Sequence, residues 1–120
     1  MKSNLEWTII RPTMIYGSAR DRNMIRLIKW IDNYPILPIF GNGNALQQPI
    51  NVNDLVSFII KSIDKKEAFK NEFNLSGKEA ITFNEIIDEI SKVLKKRPFK
   101  IYLPYKIFSY LLNILEILKI

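Results

Sequence analysis

The chain has 120 residues, enough for one domain with a modest core, and its 48% hydrophobic and 25% charged residues are those of a globular protein without repeats or low-complexity stretches. It has neither Cys nor His, which excludes a disulfide scaffold and the usual zinc sites and leaves any acid–base chemistry to carboxylates, Lys or Tyr. The net charge of +6 is densest at Lys92, Lys95, Lys96, Arg97 and Lys100, around the end of a predicted helix, where cations complement the helix dipole and face water. That placement favours a solvated face over nucleic-acid binding and leaves an affinity for anionic lipid or a phosphorylated substrate open.

The opening residues Met1 to Glu6 lack the apolar core of a signal peptide, which points to the cytoplasm. An apolar strand then begins at Trp7 and runs into Arg11-Pro12 and an Ile15-Tyr16-Gly17 turn. Asp21-Arg-Asn starts a helix with Met24, Leu27, Ile28 and Ile31 on one face, and Asn33-Tyr34-Pro35 ends it. Ile36 to Phe40 reads as a buried strand, with Pro38 placing it near an edge, and Gly41-Asn-Gly43 as a turn. Gln47 to Val52 reads as one extended segment.

Asn53-Asp54 offers a helix N-cap ahead of Leu55 to Ile63, a helix so apolar that it should lie between layers. Asn71 to Leu75 is strand-like. Thr82 and Glu85 have the spacing of a capping box, and Ile86, Ile87, Ile90, Val93 and Leu94 follow on one helix face, stopped by Arg97-Pro98 before a strand from Phe99 to Leu103. From Tyr105 to Ile120 almost every residue outside a narrow seam of Lys106, Ser109, Asn113 and Glu116 is apolar. Such a face, with Ile107, Phe108, Leu111, Leu112, Leu115 and Leu118 at its centre, needs cover from protein or a membrane surface. Its few cations favour protein.

The order of segments is Arg-Pro-x-x-Ile-Tyr-Gly, helix, Pro38-Ile-Phe-Gly-Asn-Gly43, Pro49-Ile-Asn-Val-Asn-Asp-Leu55, Phe73-Asn-Leu-Ser-Gly77 and the helix from Thr82. It resembles the carboxy-terminal part of the extended short-chain dehydrogenase/reductases, the NAD-dependent epimerases and dehydratases that act on nucleoside-diphosphate sugars. The resemblance implies an α/β fold, the carboxy-terminal substrate-binding portion of an extended Rossmann-type epimerase/dehydratase, with short strands alternating with about four helices. On this reading residues 1–104 form that portion and 105–120 an apolar amphipathic terminal helix. The family's Gly-rich phosphate loop and its Tyr-x-x-x-Lys pair are both missing ahead of the first strand.

The resemblance gives Pro12 and Thr13 a cofactor-contact role, where the strand end approaches the nicotinamide ring. Met14 stands where many members carry a substrate-binding Asn, and Gln47 near where they carry an Arg. A thioether cannot donate a hydrogen bond, and an amide cannot replace the bidentate guanidinium fork on a phosphate. These departures point away from an ordinary nucleotide sugar and toward a lipid-linked or otherwise modified one. Asp54 is better explained by its helix start than by catalysis. Tyr102-Leu-Pro-Tyr-Lys106 spells the catalytic pair, but Pro104 breaks the single helix face the chemistry requires.

The sequence thus predicts a substrate-binding part of an NAD(P)-dependent sugar epimerase, dehydratase or reductase, inactive alone, with no catalytic residue or metal site of its own. NAD or NADP would bind the complete enzyme and not this chain. The expected partners are a nucleotide-binding half or a like subunit and a sugar substrate, with a membrane surface left open for residues 105–120. The alternative is a noncatalytic interaction module derived from the same fold, which the residues at Met14 and Gln47 would suit.

Overall fold

The computed structural model describes residues 4–117, the side chains of 115–117 excepted. Leu118 and the side chains of Leu115 and Glu116, all assigned above to the terminal helix, lie outside the described residues. In chain order the elements are β1 (Thr8–Pro12), β2 (Ile15–Tyr16), α1 (Met24–Asn33), β3 (Ile36–Phe40), β4 (Leu46–Gln47), β5 (Ile50–Asn51), α2 (Val52–Ile63), a 3-10 turn (Lys66–Ala68), β6 (Asn71–Leu75), β7 (Ile81–Thr82), α3 (Phe83–Leu94), β8 (Phe99–Leu103) and α4 (Tyr105–Ile117). They form two compact units, each made of two separate segments: Met1–Met24 with Gln47–Ala80, and Ile25–Leu46 with Ile81–Ile120.

In the first unit β1 runs parallel to β6 from Thr8 opposite Asn71 to Pro12 opposite Leu75, and β2 runs parallel to β5. The extended segment expected from Gln47 to Val52 is split at Gln48-Pro49 into β4 and β5. The N-cap of α2 is also earlier than expected. Asn51, not Asn53 or Asp54, accepts the Asn53 N–H at 2.9 Å, because β5 enters the helix without a loop and its last residue does the capping. Asp54 falls in the first turn, where a carboxylate favours the helix dipole. Leu55 is buried and Phe58 meets Phe73 edge-on at 5.7 Å, but Val56, Ile59, Ile60 and Ile63 are exposed, so the described residues do not supply the expected second layer.

The core of the second unit is Ile31, Leu37, Ile39 and Ile87, ringed by Leu27, Phe83, Ile90 and Leu94. Leu37 and Ile39 of β3 therefore face α1 and α3, and the parallel partner β8 brings Lys100 and Tyr102 opposite them. Alternation turns Ile36, Pro38 and Phe40 to the other face with Phe99, Ile101 and Leu103, so β3 is buried on one side only. Its second edge is unpaired among the described residues, which accommodates Pro38 without a lost ladder bond. Phe108 of α4 rests on Phe40 with ring centroids 4.5 Å apart, while Ile107, Leu111, Leu112 and Ile114 are exposed. No described helix is long and apolar enough to cross a membrane.

The capping box of α3 is formed: the Glu85 N–H donates to Thr82 Oγ1, and the Glu85 carboxylate accepts from Thr82 N at 2.7 Å and Thr82 Oγ1 at 2.8 Å. The bond from the Thr82 backbone, followed by the one from its hydroxyl, lowers the Glu85 pKa from its ordinary 4.5. A lowered folded pKa makes this stabilisation complete above 4.5 and lost as pH falls through the folded value. Acidification should loosen the first turn of α3. Glu85→Gln, whose amide accepts without titrating, should flatten that part of an acid-unfolding curve followed by circular dichroism. An unchanged curve would assign the acid sensitivity elsewhere.

Val93, expected on the buried stripe of α3, is 81% exposed at its margin; Ile87, Ile90 and Leu94 are the residues turned to the core. The helix also stops before Arg97-Pro98. Lys96 N–H donates to Ser91 O at 3.0 Å and Lys95 N–H to Lys92 O at 3.2 Å, with Lys95 left-handed at φ 54°, which is a Schellman ending with Lys where Gly is usual.

Candidate strand-end site

Three of the four residues singled out for binding lie together where β1 ends. Pro12 closes the pairing with Leu75, and the next residue continues it, its N–H donating to Leu75 O at 2.9 Å. The Thr13 hydroxyl donates to Gln48 O at 2.6 Å, and Met14 O accepts the Ile50 N–H at 2.9 Å. These bonds hold the Pro12-Thr13-Met14 run beside the Gln48-Pro49-Ile50 segment. Gln47, at the end of β4, immediately precedes that segment. Pro12 and Thr13 are exposed, whereas Met14 and Gln47 are half-buried.

Gln48 is the residue the sequence reading passed over. Its backbone carbonyl accepts from both Thr13 Oγ1 and the Gly77 N–H, and its side-chain amide donates to Gly77 O at 2.8 Å. A Cβ on Gly77 would run into the Pro49 carbonyl, so the last residue of Phe73-Asn-Leu-Ser-Gly77 must be small. Gly17, at φ 101°, likewise passes the side chain of Asn51, the cap of α2. The glycines that end two of the quoted motifs thus close a single local arrangement. The available signal was the repeated pairing of Gly with Pro- and Asn-containing segments, and it could not be read without knowing which segments meet.

Thr13 has already committed its amide and hydroxyl to the protein, so toward a nicotinamide ring the strand end can present the Pro12 ring and the Thr13 methyl group. That surface fits an edge contact with the ring. It does not fit the pyrophosphate of a dinucleotide, which needs a run of free backbone N–H groups.

The Gly41-Asn-Gly43 turn does not supply them. Gly43 O and Ala45 O accept the Asn84 and Phe83 N–H groups at the start of α3, and Asn84 Nδ2 donates to Asn42 O at 3.0 Å. The turn occupies that helix N-terminus itself, and Cβ atoms on Gly41 and Gly43 would meet Tyr105 and Asn84. Tyr102 lies on β8, its hydroxyl donating to Asn84 Oδ1 at 3.1 Å, whereas Lys106 lies beyond Pro104 on α4, as the broken motif implied.

Short parallel strands alternating with four helices give the chain a Rossmann-like α/β fold. The chain is 28% identical over 112 residues to the UDP-glucose 4-epimerase of Vibrio cholerae, covering 91% of this chain and 34% of that protein. It is 29% identical over 98 residues to the N-acetyl-alpha-D-glucosaminyl-diphospho-ditrans,octacis-undecaprenol 4-epimerase of Escherichia coli O157:H7, covering 82% of this chain and 29% of that protein. The crystal structure of UDP-glucuronic acid 4-epimerase from Bacillus cereus in complex with NAD superposes with a TM-score of 0.71 at 27% identity, over 81% of this chain and 33% of that one. No family model matches. In sequence and in fold the chain is similar to the NAD-dependent epimerase/dehydratase branch of the extended short-chain dehydrogenase/reductases, and it spans about a third of the length of the curated relatives it matches.

Proposed function

We propose that the chain is the substrate-binding portion of a cytoplasmic NAD(P)-dependent sugar epimerase, dehydratase or reductase and is inactive by itself. The observation that carries this reading is the hydrogen-bonded strand end, where Thr13 and Met14 of the first quoted motif are tied to Gln48 and to Ile50 of the Pro49 to Leu55 motif. Pro12 and Thr13 form the contact with the cofactor ring, and Met14 and Gln47 line the substrate side. A thioether and a neutral amide at those two places suit a sugar held less through its phosphates than a UDP-sugar is. The likeness to an epimerase named for an undecaprenyl-diphosphate-linked sugar supports a lipid-linked substrate.

Calorimetric titration tests the reading. The chain alone should show no binding of NAD or NADP. Mixed with a separately produced nucleotide-binding portion of the Bacillus cereus enzyme, it should form a complex that takes up NAD. A dissociation constant on the order of micromolar or tighter for the chain alone would overturn the assignment. Failure of the two portions to associate would instead favour a noncatalytic module of the same fold.

A further inference from the structure

At the end of α3 the chain reverses through Lys95 and returns as β8, and this reversal gathers Lys92, Lys95, Lys96, Arg97 and Lys100 around an open cavity of ≈ 870 Å³, completed by Asp88, Ser91 and Pro98. Three of the cations have acidic neighbours: Lys92 bonds Glu89 at 2.6 Å, Lys100 bonds Asp88 at 2.7 Å, and Lys96 lies 3.8 Å from Asp32. Lys95 and Arg97 have no carboxylate within ion-pair distance among the described residues.

Two further features of this cavity are locally unfavourable. Ser91 lines the cavity, and its Oγ is buried out of reach of solvent with no hydrogen-bond partner among the described residues. Lys95 holds a left-handed backbone that Gly would adopt without strain. Complementing the helix dipole explains cations in the last turn of α3. It explains neither a buried, unpaired hydroxyl nor Arg97 and Lys100, which lie past the helix end.

We propose that this cavity binds a phosphate group carrying two negative charges. Lys95 and Arg97 supply the uncompensated positive charge, the guanidinium fork matches two phosphate oxygens, and the Ser91 hydroxyl, turned toward the cavity by rotation about χ1, donates the hydrogen bond it lacks. Two sources offer this chemistry, a free phosphate or diphosphate and the headgroup of phosphatidic acid.

The test is calorimetric titration of the full chain with inorganic diphosphate at low ionic strength, with sedimentation alongside phosphatidylcholine vesicles made with and without phosphatidic acid. Saturable one-to-one binding is expected. Ser91→Ala should fold as well as the parent, because it removes an unpaired buried hydroxyl, yet bind about tenfold more weakly. Lys95→Gly combined with Arg97→Gln should abolish binding while keeping the turn, since Gly is at ease at that φ. Lys65→Gln with Lys66→Gln removes equal charge from the other unit and should leave binding unchanged.

Binding in solution without vesicle attachment identifies a soluble phosphate. Attachment to phosphatidic acid vesicles that diphosphate reverses identifies the headgroup. The proposal fails if neither form of binding occurs, if Ser91→Ala binds like the parent, or if the Lys65 and Lys66 pair matters as much as Lys95 and Arg97.

Discussion

Replacing Ile87 with Ala is expected to cost about 2–5 kcal/mol, the range for removing a large aliphatic side chain from a site that cannot collapse. Ile87 of α3 is fully buried among Ile31 of α1 and Leu37 and Ile39 of β3. Since a small domain is stable by only about 5–15 kcal/mol, one such change removes much of the margin. The chain carries a reporter for it. Trp30 sits on α1, donates from Nε1 to Ile36 O at 2.8 Å and lies 4.9 Å from the Tyr34 ring, whereas the other Trp, Trp7, belongs to the first unit. With Trp7→Phe as background, urea unfolding followed by fluorescence should show a lowered midpoint for Ile87→Ala. An unchanged midpoint would mean that the second unit does not depend on this core.

A second large effect is expected from surface that the chain leaves open. Parallel strands are normally covered on both faces, yet Trp7 and Ile9 are each 40% exposed, and Ile60 and Ile63 of α2 are 62% and 61% exposed. The chain alone should therefore self-associate and bind a hydrophobic dye. Burying an Ile is worth about 1.5–3 kcal/mol, so Ile60→Lys with Ile63→Lys should weaken association by roughly a hundredfold or more. Sedimentation velocity across a concentration series measures this. A parent chain that is monomeric and silent toward the dye would show that these side chains need no cover.

The elements most legible in the sequence were those decided by nearby residues. The Thr82 and Glu85 capping box, the strand Asn71 to Leu75 and the α1 stripe ending at Ile31 follow from spacing alone, because the partners lie within a few positions of one another. The departures arose where distant segments decide. Periodicity alone does not say where the cover over a helix face ends, so it placed Val93 in the stripe of α3. Preference for Asn and Asp at helix starts does not choose among Asn51, Asn53 and Asp54, and the direct entry of β5 into α2 does. Around the strand end the quoted motifs were recognisable, but the junction through Gln48 was not, because it depends on Thr13 and Gly77 arriving from opposite sides of the chain.

The two units interleave along the chain, and that has a consequence for how the protein is made. Thr8 must wait for Asn71, and Ile36 for Phe99, so neither unit can finish while its first segment is the only one to have left the ribosome. The early segments spend that interval with β1 and β3 unpaired, when a chaperone would have most to hold. A single backbone cut in the Gly41-Asn-Gly43 turn would likewise divide both units at once, leaving two fragments that can rebuild either unit only by finding each other.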